Sequence, residues 1–354
     1  MNAVENTVVN TAVNTVDAIK SVYKKSRARA NTAIGALAVI SLILAVLSIM
    51  LGKTIYPLDQ ILRAIGGEEI KGVTFAVMTL RLPRMLTGLL AGAALGVAGA
   101  SFQSMLRNSL ASPDVIGVSS GSTAAAVFCL LALRWSGPAV SFTAIIVGLI
   151  VAALIFLLSG GGSFGGGKLI LIGVGMGAKL NAFISFLLLK ASEYDVPAAM
   201  RWMSGSLNGS KMSNVLPLAI AVAILCPASA LLAGRLKILE LGDEAAIALG
   251  VEAKLTRLIL TLSAVGLVAF ATSTTGPIAF VSFLSGPIAA RLTGGGRAGT
   301  LPASLTGIVL VLGSDLIGQF AFDTRFPVGV ITGILGAPYL IYLLIRSNQK
   351  GGSL

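Results

Sequence analysis

Along the 354 residues, long apolar runs alternate with short polar intervals. A helix needs about 20 mainly apolar residues to cross a bilayer core. By that measure the runs predict helices at 33–51, 85–105, 115–133, 138–158, 169–189, 214–234, 258–272, 278–292, 301–320 and 328–345. The fold class is all-α, a polytopic membrane protein of about ten transmembrane helices. The 258–292 stretch is interrupted at Thr275-Gly-Pro277 and reads as two short spans or one broken unit; basic residues at both ends of the chain require an even number of spans, so ten fits and eight is the alternative if this stretch does not cross twice.

The polar intervals divide the chain further. Residues 1–32 are rich in Asn, Thr and Val and end in Lys20, Lys24, Lys25, Arg27 and Arg29. They predict a loose tail closing in an amphipathic turn, and they lack the short apolar core and small-residue site of a cleavable signal. Residues 53–80 predict a segment outside the membrane with one short amphipathic helix, and 190–213 a second such segment. Arg81-Leu-Pro-Arg84 opens the second span, with Pro83 in a first turn that needs no N–H from it. In that span Gly88, Gly92 and Gly96 recur at i, i+4, leaving one face flat enough for another helix to approach closely. The transmembrane domain covers 33–346, and 347–354 form a short C-terminal tail.

One interval differs from the rest. Residues 235–257 hold eight charged side chains, in a chain of which only 11% is charged. Leu241 to Val251 reads as a short helix between glycines, with Asp243 and Glu244 in a first turn that favours carboxylates and Gly250 as its stop. Such a helix belongs in water, where something can press on it.

Composition agrees with the pattern. Mean hydropathy is +0.92, 55% of residues are hydrophobic, and soluble domains stay near 45–50% apolar. Lys and Arg exceed Asp and Glu by 26 to 14. In a membrane protein that excess marks cytoplasmic loops, and no basic-aromatic cluster argues for nucleic acid. The charge map places both termini and 235–257 in the cytoplasm.

Candidate chemistry is sparse. The chain has no His, the commonest transition-metal ligand. Cys129 and Cys226 both sit in apolar runs, as small core residues do. Gly160 to Lys168 is glycine-rich, but Leu169 stands where a phosphate-binding loop has Ser or Thr, so it reads as a linker. The most polar span holds Gly173, Gly175, Met176, Gly177, Lys179 and Asn181. Either these line a water-filled path or Lys179 extends towards headgroups. Asp315 is the one acid deep in a span: a functional suspect by default, or a group hydrogen-bonded inside the bundle. No nucleotide motif and no catalytic constellation appears, so any energy source is another chain or an ion gradient.

Several segments, in order, resemble the permease subunits of type II ATP-binding-cassette (ABC) importers, the family of ferric-siderophore and vitamin B12 permeases. They are Arg81-Leu-Pro-Arg84, Gly92 to Gln103, Arg107 to Val118, Leu241-Gly-Asp-Glu244 with Ala248-Leu-Gly-Val251, Gly276 to Phe280, Phe326 to Val330, and Leu335 to Pro338. Phe102 to Asn108, Leu187 to Ser192 and Gly205 to Gly209 look closest to permeases of the ferric enterobactin type. The resemblance implies a bacterial inner-membrane importer permease for an iron chelate of catecholate type, with haem or cobalamin permeases next in line. It implies a second permease, identical or different, two ATPase subunits that hold ATP and magnesium, and an extracytoplasmic binding protein. This chain would bind no cofactor and catalyse no reaction. Leu241, Gly242, Asp243, Glu244, Ala248, Leu249 and Gly250 match the coupling loop. Arg81 and Arg84 match arginines that dock the binding protein; a third falls at Gln319, and Arg325 on the same outer turn would replace it. Many relatives carry Pro-His where this chain has Pro287-Ile288. A reading of another class, an ion-coupled carrier, would work through Asp315 and Lys179.

Overall fold

The computed structural model describes residues 2–159, 166–239, 241–294 and 299–351. The start of the Gly160–Lys168 linker and part of the 294–297 turn lie outside them. Among the described residues there are helices and no strands. Among these residues seven helical segments are long and apolar enough to cross a membrane. Three further helices, α4 (Val118–Leu131), α12 (Val281–Thr293) and α14 (Val328–Gly351), fall in the remaining three expected positions.

Helix α1 (Asn2–Met50) runs unbroken for 49 residues, about 70 Å at 1.5 Å per residue. A bilayer core is about 30 Å thick, so the helix carries a long arm beyond it. The tail expected to be loose is therefore helical, and no Gly or Pro precedes Gly35 to interrupt it. Residues 20–29 of the arm are exposed. Arg29 turns back from it: Nε donates to the carbonyl of Leu292 (3.2 Å) and Nη2 to that of Arg291 (2.8 Å). The end of the bundle carrying this contact is called the arm face below.

At the opposite face lies α2 (Leu58–Ile65), the short amphipathic helix expected in 53–80. Arg63 in its last turn pairs with Glu68 on the surface, and the guanidinium holds the Glu68 carboxyl below the usual carboxylate range. The second span starts earlier than expected. A π-helical stretch, Phe75–Arg81, leads directly into α3 (Leu82–Met105). Pro83 thus sits inside a longer helix, and the wider turn just before it makes room for the ring and the missing N–H.

Helix α3 is the axis of the bundle, packed by α8 (Met212–Leu231), α11 (Ala253–Thr275), α12 (Val281–Thr293) and α13 (Thr300–Phe320). Glycines allow this closeness. A Cβ at Gly96 would overlap the backbone carbonyl of Ala303, and one at Gly99 that of Ser282. Around this axis stand α4 (Val118–Leu131), α5 (Pro138–Leu158), α6 (Gly166–Lys190) and α14 (Val328–Gly351). The main apolar core joins Phe102 of α3 to Val118, Ile155, Leu218 and Leu267. Helix α7 (Val196–Met203) lies in the expected 190–213 segment. α14 runs on through Gly351, so the C-terminal tail also continues as helix where described.

The 258–292 stretch is two helices. α11 ends at Gly276 (φ 71°), and Phe280 adopts a left-handed φ of 64° before α12 begins. Within α12, Pro287 cannot supply the N–H that the carbonyl of Phe283 would accept. Gln103 of α3 replaces it: its Nε2 donates to that carbonyl at 2.9 Å, in a buried contact.

Candidate functional site

The charged interval folds into α9 (Ala233–Leu239) and α10 (Asp243–Ala248), followed directly by α11. Glu240 and the side chain of Asp243 lie outside what is described. The six-residue α10 is bracketed by Gly242 (φ 120°) and Gly250 (φ 77°), conformations that a Cβ disfavours. Beneath it Leu239, Ala246 and Val251 form a small buried cluster. Above it Leu241, Ile247 and Leu249 are 70%, 66% and 61% exposed. Glu244, Ala248 and Gly250 share that exposed side. The element sits on the arm face, because the guanidinium of Arg107, just past the end of α3, donates to the carbonyl of Leu239. Beside α10 an open cleft is lined by Ile247, Val251, Lys254 and Arg257. Clustered, exposed apolar side chains on a charged element are the kind of patch that contacts a partner protein or a membrane.

A second polar constellation lies at the opposite face. Asp315 of α13 is 2% exposed and Arg84 of α3 is 15% exposed. Arg84 Nε and Nη2 donate to the two carboxylate oxygens at 2.8 Å each, a bidentate pair. Gln319 Nε2 donates to the same carboxylate at 2.8 Å. Arg84 Nη1 donates to Asn208 Oδ1, on the loop that leads to α8. Arg81 is also engaged. Its Nη1 donates to the carbonyls of Ile49 (2.9 Å) and Met50 (2.7 Å) at the end of α1, and its Nη2 to the backbone carbonyl of Thr54 (2.7 Å). The guanidinium lies 4.6 Å from the Tyr56 ring centroid. Arg325 is exposed on the loop between α13 and α14.

The model of the FecCD transport family matches residues 40–346. The chain belongs to the FecCD transport family. Among its relatives is the ferric enterobactin transport system permease protein FepG of Escherichia coli (strain K12), 39% identical over 293 residues, 82% of this chain and 89% of FepG. The Fe(3+)-citrate import system permease protein YfmE of Bacillus subtilis (strain 168) is 36% identical over 317 residues, 89% of this chain and 95% of YfmE. A metal-chelate type ABC transporter solved in an inward-facing conformation superposes with a TM-score of 0.76 at 28% identity, covering 90% of this chain and 99% of that one.

In this FecCD chain the residues singled out from the sequence form separate groups. Leu241 to Gly250 form one compact element. Arg81 and Arg84 share the opposite face but hold different partners. On α6, Gly173 is buried, Met176 half-buried, and Gly175, Lys179 and Asn181 are exposed on a helix with few buried residues. Lys179 and Asp315 take part in no common contact: the carboxylate is held by Arg84 and Gln319. Sequence reading missed Ile247. Its signal was an exposed-phase apolar residue one turn after Asp243 and Glu244, in a helix otherwise made of alanines.

Proposed function

We propose that this FecCD chain is the membrane permease of an ATP-driven importer for ferric siderophore, of catecholate type, with the arm face in the cytoplasm. The observation that carries the reading is the exposed apolar set Leu241, Ile247 and Leu249, presented by a six-residue helix fixed between two positive-φ glycines. That surface suits a groove on an ATPase subunit. ATP and magnesium are held by two such subunits and by no residue of this chain. Their closure pushes α9–α10, and the permease alternates between outward and inward access as rigid bodies. A second permease faces α6, whose exposed Gly175, Lys179 and Asn181 then line the path. The catecholate assignment draws support from FepG, the enterobactin permease described above.

An extracytoplasmic binding protein docks on the face opposite the arm. Of the three arginines expected to receive it, Arg325 is the exposed one. Arg81 and Arg84 are engaged within the chain, so they shape that face more than they offer charge to it. The buried Arg84–Asp315 pair supports reading Asp315 as a group held inside the bundle rather than as a carrier's acid.

The test is uptake of radioactive iron into liposomes holding the complete complex, with ATP enclosed and the loaded binding protein outside. Ferric catecholate enters only with hydrolysable ATP. Uptake driven by an ion gradient without ATP overturns the importer assignment. Uptake of haem, cobalamin or a ferric hydroxamate in place of the catecholate overturns the substrate assignment.

A further inference from the structure

The segment that leaves α3 carries two ties that the docking surface itself does not need. At the first, Arg107 adopts a φ of 52°, a left-handed conformation that is costly for a residue with a Cβ. The bend turns its guanidinium onto the carbonyl of Leu239, the last residue of α9. A cation on the final carbonyls of a helix is favoured by both hydrogen bonding and the helix dipole.

Seven residues further on, the carboxylate of Asp114 gathers three hydroxyls. Ser112 Oγ donates to it at 3.0 Å and Ser282 Oγ at 2.8 Å, and Ser119 Oγ donates from the first turn of α4. The Ser112 and Ser282 hydroxyls are themselves 3.1 Å apart. Ser282 stands in the first turn of α12, just after the left-handed Phe280 that separates α12 from α11. Its backbone is also the one that Gly99 lets approach α3. One short segment therefore holds the coupling element by its cation and the α11–α12 break by its acid.

We propose that residues 107–119 are the relay that passes movement of α9–α10 to the start of α12, with Arg107 as the positioning residue at its input and Asp114 at its output. The proposal rests on the reading of α9–α10 as the ATPase-docking element. Both ties join groups that shift only as far as their partners do, whereas the apolar cluster under α10 is small and local.

The experiment uses the whole complex in liposomes and reads three quantities: ATPase co-purification, ATP hydrolysis, and iron taken up per ATP hydrolysed. Arg107→Ala is expected to keep the first two and to lower uptake per ATP by about tenfold, the factor one charge-assisted hydrogen bond supplies. Arg107→Lys, which can still donate to the carbonyl, returns uptake per ATP to within about threefold of the unaltered protein. Ser282→Ala lowers the same ratio, and the double variant Arg107→Ala, Ser282→Ala is no worse than the poorer single, as links in series require. Unaltered uptake per ATP in both single variants overturns the relay, as does a multiplicative loss in the double variant. Loss of ATPase co-purification in Arg107→Ala and Arg107→Lys alike also overturns it, by making Arg107 part of the dock. The docking reading fails separately, if Ile247→Glu leaves co-purification intact.

Discussion

Replacing Gln103 with Met tests how the proline-containing helix α12 is held. The side chains have similar length, but Met cannot donate a hydrogen bond. Pro287 denies the carbonyl of Phe283 its helical donor, and Gln103 Nε2 supplies one at 2.9 Å from α3. Both residues are buried, at 6% and 8% exposure, so the orphaned carbonyl has no ready access to water. A buried unsatisfied group costs about 1–3 kcal/mol, and hydrogen bonds between membrane helices average about 0.6 kcal/mol with a maximum near 1.7. The expected loss for Gln103→Met is therefore about 1–2 kcal/mol.

The control is Pro287→Ala, which restores the N–H of residue 287 to the same carbonyl. In that background Gln103→Met should cost less than about 0.5 kcal/mol, because the amide has become redundant. Gly286→Ala should resemble Gln103→Met, since a Cβ there would overlap the Gln103 side-chain oxygen. Reversible unfolding in mixed detergent micelles, followed by denaturant titration, measures all of these. An equal loss from Gln103→Met with Pro287 or Ala at 287 would refute the reasoning.

Other substitutions probe the axis and the opposite face. Gly99→Ala should destabilise by about 1–3 kcal/mol in the same titration, because a backbone carbonyl cannot move aside. Gly35→Ala, with nothing near its would-be Cβ on α1, should be neutral or stabilise by up to about 1 kcal/mol. Asp315→Asn should cost about 3 kcal/mol, the low end for breaking a buried pair, because Arg84 keeps some access to water. Arg84→Met with Asp315→Leu should recover most of that loss, since the carboxylate and guanidinium are then removed together.

Hydropathy made the bundle legible. The ten spans, the short helix in 53–80 and the charge island at 235–257 each break a pattern that one sequence displays. Contacts across long separations were not legible. Arg84 and Asp315 lie 231 residues apart, and nothing in either neighbourhood shows that α3 and α13 touch there. A lone acid in one span and an arginine at the mouth of another are suggestive only once those helices are known to be neighbours. The same holds for Gln103 and Phe283, 180 residues apart. The arm of α1 was misjudged for a different reason. Its Asn, Thr and Val residues are weak helix formers, yet α1 continues outward from a membrane span, so elongation needs no new nucleus. Within α9–α10 the sequence is conspicuous for its charges, although the exposed surface is led by Leu241, Ile247 and Leu249.

The central claim is that this surface is where an ATPase docks. Its most direct test is the amount of ATPase that co-purifies with the detergent-solubilised permease, compared between the unaltered chain and Ile247→Glu. A buried apolar anchor at an interface is worth about 2 kcal/mol or more, so the account predicts at least a thirtyfold loss of affinity, while the permease still runs as a monodisperse particle. Undiminished co-purification from Ile247→Glu, and from Leu241→Glu beside it, would contradict the account.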